Sequence, residues 1–117
     1  MLKENKILIT GGSGFIGTNL IEKFILDGYE VLNIDFNKPS KKKLFKYWLN
    51  VDINCFDVLK QSVLGFGPDY IVHLAARTDL DGISLEDYRT NVIGVENLLR
   101  ISNELSSLKK IIITSSM

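Results

Sequence analysis

Two rhythms of apolar and polar positions run along this chain. Short, nearly solid apolar runs, Ile7-Leu8-Ile9, Val31-Leu32 with Ile34, Ile71-Val72 and Ile111-Ile112-Ile113, read as strands buried on both faces. They predict strands over 6–10, 30–35, 70–74 and 110–114. A looser alternation of Tyr47, Leu49 and Val51 predicts a further strand over 45–51. Between these runs the spacing lengthens to four. Ile16, Leu20 and Phe24, with Ile21 and Ile25 beside them, predict a helix over 15–27 that Gly28 ends. A short helix over 57–64 is stopped by Gly65, Gly67 and Pro68. A long one over 85–105 carries Val92, Val95, Leu99 and Ser102 as its expected inner stripe. Residues 37–43 are polar with Pro39 and read as a loop or single turn.

Strands alternating with helices at this spacing predict an α/β fold, a Rossmann-type doubly wound parallel sheet. Right-handed crossovers and a glycine-rich first turn give 3-2-1-4-5 as the expected strand order. Residues 1–117 read as one domain, without repeat, linker or low-complexity tract. In such a sheet ligands sit beyond the carboxyl ends of the strands, at the switch point between the first and fourth.

Composition narrows the class. At 117 residues, 45% hydrophobic and 24% charged, the chain suits one soluble globular domain rather than a disordered segment. Lysines and arginines balance aspartates and glutamates at 14 each, so nothing global points to nucleic acid or to an anionic membrane. The local basic run, Lys38, Lys41, Lys42, Lys43 and Lys46, reads as a solvated loop. The single cysteine, Cys55, excludes an internal disulfide and a cysteine-built metal site. No apolar run approaches the roughly 20 residues that cross a bilayer, and the start shows no signal peptide. A cytoplasmic location is the expectation.

The strand ends carry the candidate chemistry. After the first strand stands Thr10-Gly11-Gly12-Ser13-Gly14-Phe15-Ile16-Gly17, in the strand–turn–helix context that a dinucleotide phosphate loop needs. Gly11 allows the tight turn, Gly14 a close approach to pyrophosphate, and Gly17 close packing of the helix. Gly12 to Gly17 also fits the glycine spacing of a nucleoside-triphosphate loop. That loop requires Lys and then Ser or Thr, whereas Thr18 and Asn19 follow here. An idle glycine-rich turn is the remaining alternative for this stretch taken alone.

After the second strand stands Asp35, 18 residues past Gly17 and close to the roughly 20-residue interval of a ribose-binding acid. Its carboxylate can accept hydrogen bonds from ribose hydroxyls and would repel a 2′-phosphate, favouring NAD over NADP. Asp52 and Ile53 follow the third strand and offer an acceptor and an apolar surface to an adenine. Leu74, Ala75 and Ala76 leave room for a cofactor backbone after the fourth. His73, the only histidine, reads as a satisfied strand residue rather than an acid–base group or a metal ligand.

Together with Val72 to Ala76 and Asn91-Val92-Ile93-Gly94-Val95-Glu96-Asn97-Leu98-Leu99, these motifs resemble the extended short-chain dehydrogenase/reductases. Within them the chain is most similar to NAD-dependent nucleotide-sugar epimerases and dehydratases, from the first strand to the fifth. The resemblance implies that Gly11, Gly14, Phe15, Ile16 and Gly17 line the pyrophosphate. It places Asp35 and Asn37 at the ribose, Asp52 and Ile53 at the adenine, and Leu74, Ala75 and Ala76 along the cofactor. Asn91 would anchor the long helix, and Ser116 would supply the hydroxyl that assists catalysis after the fifth strand. Many members have aspartate where this chain has Cys55, which weakens a local turn or cap.

The resemblance also implies a Tyr-x-x-x-Lys pair for the proton work. Tyr47, Tyr70 and Tyr88 have no lysine four residues on, and Tyr29 is followed there by Asn33. The expectation is therefore the NAD-binding part of an epimerase-like enzyme, cut after the fifth strand and inactive alone. Its partners would be a nucleotide-sugar substrate in the longer enzyme and a second copy in a homodimer. Met117, where dehydratases of this group tend to carry acidic residues, tilts the reading to epimerase or reductase. The alternative from another class is an NAD-binding or interaction module without catalysis. A free-standing chain of this length is expected to expose an apolar edge at Ile111–Ile113 and to self-associate through it.

Overall fold

The computed structural model describes residues 5–74 and 85–114. Strand β1 (Lys6–Thr10) leads through the glycine turn into helix α1 (Phe15–Leu26), then β2 (Glu30–Ile34). A 3₁₀ helix (Lys42–Tyr47) precedes β3 (Trp48–Leu49). Helix α2 (Phe56–Phe66), β4 (Tyr70–His73), α3 (Leu85–Ser102) and β5 (Lys110–Ile113) complete the order. All neighbouring strands pair in parallel, and the sheet runs β3-β2-β1-β4-β5 as the crossover logic requires.

The apolar runs of β1, β2 and β4 are buried on both faces. Leu8, Ile34 and Ile71 meet Leu59 and Val63 of α2 and Leu98 and Ile101 of α3 on one side. Ile7, Ile9, Val31 and Val72 meet Ile21 of α1 on the other. Alternate residues of one strand thus feed two cores, the signature of a doubly wound sheet. Gly28, at φ +93°, turns the chain out of α1, and left-handed Gly67 caps α2. At the outer edge, Ile112 and Ile113 of β5 are half-exposed. No helix among the described residues is long and apolar enough to cross a membrane.

Three expectations are corrected. The strand expected over 45–51 is only Trp48–Leu49, pairing with Asn33 and Ile34. Before it, the chain winds into the 3₁₀ helix, where residues three apart share a face: Leu44 is buried and Tyr47 half-buried. Ile16 does not join the inner stripe of α1. It is exposed, as is Phe15, and the buried positions are Gly17, Thr18 and Ile21. The first turn of α1 carries these two side chains into solvent rather than into either core. On α3 the inner face is Gly94, Asn97, Leu98 and Ile101, while Val92 and Leu99 are partly exposed. Apolar residues occupy more than one side of this helix, so periodicity alone does not choose its face. Asn97 is buried because its side-chain amide donates to the Ile53 carbonyl at 2.8 Å.

Candidate functional site

The glycine turn is fastened to β2 by three successive backbone donors. Gly11 N–H donates to the Ile34 carbonyl at 3.0 Å. Gly12 N–H donates to Asn33 Oδ1 at 2.9 Å, and Ser13 N–H to Asp35 Oδ2 at 3.0 Å. Gly11 sits at φ +74°, which a side chain would resist. The next donors belong to the first turn of α1, which has no intrahelical acceptors for them. The helix proper closes with Thr18 N–H on the Gly14 carbonyl at 2.9 Å. The chain thereby spends the N–H groups of 11–13 on its own sheet and presents the positive end of α1 beyond them.

Space around the turn is apportioned in the same sense. A Cβ on Gly17 would lie 2.5 Å from Gly12 Cα, so α1 can begin here only because residue 17 is glycine. A Cβ on Gly12 would strike Asn33 Oδ1 at 2.5 Å. A Cβ on Gly14 would meet only the Gly11 carbonyl, at 4.0 Å, leaving open room where the backbone can receive a pyrophosphate. The residues fit the phosphate end of a dinucleotide.

Asp35 stands at the centre of this corner. One carboxylate oxygen holds Ser13 N–H, and the other accepts Asn37 N–H at 2.9 Å. The Ser13 hydroxyl donates to the Asn37 carbonyl at 2.7 Å, closing a ring of contacts between turn and loop. Each carboxylate oxygen retains acceptor capacity for a ribose hydroxyl. Trp48 Nε1 donates to the Asp35 carbonyl at 2.7 Å and secures the end of β2 from the side of β3.

Asp52 is used differently. Its Oδ1 accepts both the backbone N–H and the side-chain amide of Asn54, at 2.9 and 3.1 Å, forming a turn ahead of α2. Cys55 is the N-cap of α2 and makes no side-chain cap bond, as expected of a residue without a side-chain oxygen. The Ile53 side chain packs on Gly94 of α3, where any Cβ would collide with it. Leu74 N–H donates to the Thr10 carbonyl at 2.8 Å, placing the ends of β1 and β4 side by side at the switch point. Asn91 lies on α3, with its side chain outside the described residues, as are Ala75, Ala76 and Ser116 entirely.

Among the described residues His73 is only half-satisfied, against the expectation. Its Nδ1 lies 2.6 Å from the Thr10 hydroxyl, while its Nε2 is buried and finds no hydrogen-bond partner among those residues. Burial holds its pKa below the ordinary histidine value. The basic run is also less free than expected. Lys41 and Lys43 both reach Glu22 on α1, at 2.9 and 3.1 Å, and lower its pKa, Lys41 first.

Sequence reasoning missed Asn33, Ser13 and Trp48. A signal for Asn33 was available, since a lone amide inside an otherwise apolar strand must find partners. Nothing in the spacing marks Ser13 or Trp48, whose roles depend on what lies opposite.

Comparison with known proteins bears on the family and the fold. The model of the NAD dependent epimerase/dehydratase family matches residues 7–117. GDP-6-deoxy-D-talose 4-dehydrogenase of Aggregatibacter actinomycetemcomitans is 38% identical over 112 residues, covering 89% of this chain and 32% of its own length. UDP-glucuronic acid decarboxylase 1 of Danio rerio is 30% identical over 110 residues, covering 89% of this chain and 26% of its own. Among solved structures, a UDP-glucose 4-epimerase of Thermotoga maritima with UDP-glucose superimposes at a TM-score of 0.82 with 31% identity. It covers 94% of this chain, which covers 37% of it. The Bordetella bronchiseptica enzyme WbmG in complex with NAD gives 0.81 and 28%, covering 95% of this chain and 37% of its own. The chain therefore spans about a quarter to two-fifths of the length of these relatives. From its first strand to its last residue, the chain belongs to the NAD dependent epimerase/dehydratase family.

Proposed function

We propose that this chain is the NAD-binding part of a nucleotide-sugar epimerase-like enzyme. The observation that carries the reading is the division of labour in the glycine turn. Residues 11–13 donate to β2, while the first turn of α1 is left to receive phosphate beside the Asp35 carboxylate. Gly11, Gly14, Phe15, Ile16 and Gly17 would border the pyrophosphate. Asp35, with Asn37 at its side, would accept the ribose hydroxyls and disfavour a 2′-phosphate. Asp52 and Ile53 would flank the adenine, and Leu74, Ala75 and Ala76 would follow the cofactor past the switch point. Asn91 would hold the start of α3 near β4.

When bound, NAD supplies the acceptor and donor of a hydride. Ser116 would hydrogen-bond the sugar oxygen at which that hydride is exchanged. No tyrosine of the chain has lysine four residues on, so these residues hold the cofactor without supplying the base. Titration calorimetry tests the reading: NAD binds in the micromolar range, NADP more weakly, and Asp35→Ala weakens NAD on the order of tenfold or more. Equal affinity for the two cofactors would sink the preference. Purified chain that turned over a nucleotide sugar would falsify the assignment of the base elsewhere.

A further inference from the structure

We propose that Glu22 is a positioning residue for cofactor choice: it binds two lysines of the loop that follows the ribose corner and so withholds their charge from a 2′-phosphate. The inference rests on the NAD reading and concerns a residue to which that reading gives no part.

A cavity of about 340 Å³ opens between the start of α1 and the loop after β2, bordered by Ser13, Gly14, Thr18, Asn19, Ser40 and Lys41. It shares a wall with the ribose corner, because Asp35 holds the Ser13 backbone and the Ser13 hydroxyl holds the Asn37 carbonyl. The bordering loop is the most basic stretch of the chain. Left free, its ammonium groups would favour a phosphate dianion placed beside Asp35, against the preference of that carboxylate.

The fold sends them elsewhere. Glu22 lies one helical turn beyond Thr18 on α1, and its Oε2 receives Lys41 Nζ at 2.9 Å and Lys43 Nζ at 3.1 Å. Lys38 and Lys46 lie over the rings of Phe45 and Tyr47, at 5.6 and 5.4 Å from their centroids. One carboxylate therefore gathers two cations at the rim of the cavity. Exposed pairs of this kind add little to stability. Their effect on the local potential is separate from that, and it falls on whatever anion approaches Lys41.

The test is paired titration of NAD and NADP at low ionic strength on the protein and three variants. Glu22→Gln is expected to tighten NADP about three- to tenfold, the scale of one unit charge acting on a dianion through water over several ångströms. NAD, which lacks the 2′-phosphate, should gain less, so that the NADP-to-NAD ratio rises. Glu22→Asp should keep the wild-type ratio. Adding Lys41→Ala and Lys43→Ala to Glu22→Gln should abolish the gain, and high salt should erase it. An unchanged NADP-to-NAD ratio in Glu22→Gln, with NAD still bound, overturns this inference alone. A gain that survives loss of both lysines overturns it as well. A wild-type protein that binds no NAD overturns this inference and the proposed function together.

Discussion

Asp35 and Asp52 occupy equivalent places, each following a parallel strand at the ligand end of the sheet, yet the fold employs them differently. Asp35 reaches across to another element and holds the glycine turn through Ser13 N–H. Asp52 folds back on its own loop and holds Asn54. The first carboxylate couples the glycine turn to the loop after β2. The second shapes the approach to α2. An acid at a strand end is thus a long-range fastener only when the neighbouring turn offers it an unpaired donor.

The most disruptive way to break this contrast is Gly17→Ala. The added methyl would meet Gly12 backbone, which cannot swing aside as a side chain can, so the turn must shift away from Asp35. A loss of about 2–3 kcal/mol is expected, read by urea unfolding, together with lost NAD binding. Asn33→Ala comes next. It leaves the Gly12 N–H without its buried acceptor, for a cost of about 1–3 kcal/mol in the same measurement.

Asp35→Ala should weaken NAD on the order of tenfold or more by removing an ionised acceptor, as read by calorimetry. Asp52→Ala should change NAD affinity only about twofold, and stability by about 0.5–1 kcal/mol through its turn bond. If the two alanine variants lose NAD equally, the contrast fails.

A pH series adds a control at β4, where His73 touches neither acid. Its pKa is lowered in the folded protein from an ordinary 6.5, so the unfolded chain binds the proton first. Its contribution is complete above pH 6.5 and declines as pH falls below that value toward the depressed folded pKa. The slope is at most about 1.4 kcal/mol per pH unit. Thermal midpoints between pH 7.5 and 5.5 should show a decline that His73→Gln lacks.

What was legible in the sequence was what local pattern determines. The solid apolar runs mark β1, β2 and β4, because strands buried on both faces need apolar side chains at most positions, and Ile111–Ile113 mark β5 although it stays half-exposed at the sheet edge. Gly11 and Gly28 mark turns, because glycine takes the positive φ of these positions without the steric cost a side chain would bring. Asp35 was legible through its interval from Gly17. What was not legible depends on partners distant along the chain. Asn97 can join Leu98 and Ile101 on the inner face of α3 because the Ile53 carbonyl accepts its amide. The end of β2 binds only two residues of β3, and the alternation at 47–51 says nothing of where pairing stops. Glu22 gave no signal until α1 and the lysine loop met in space.

The three bonds from residues 11–13 to β2 also bear on the kinetics of recognition. A turn already fastened at three consecutive donors has surrendered its conformational entropy during folding, so a ligand need not order it again. Association should be a single step, with no slow rearrangement of the turn after encounter, and the amides of 11–13 should exchange with solvent slowly whether or not a dinucleotide is present.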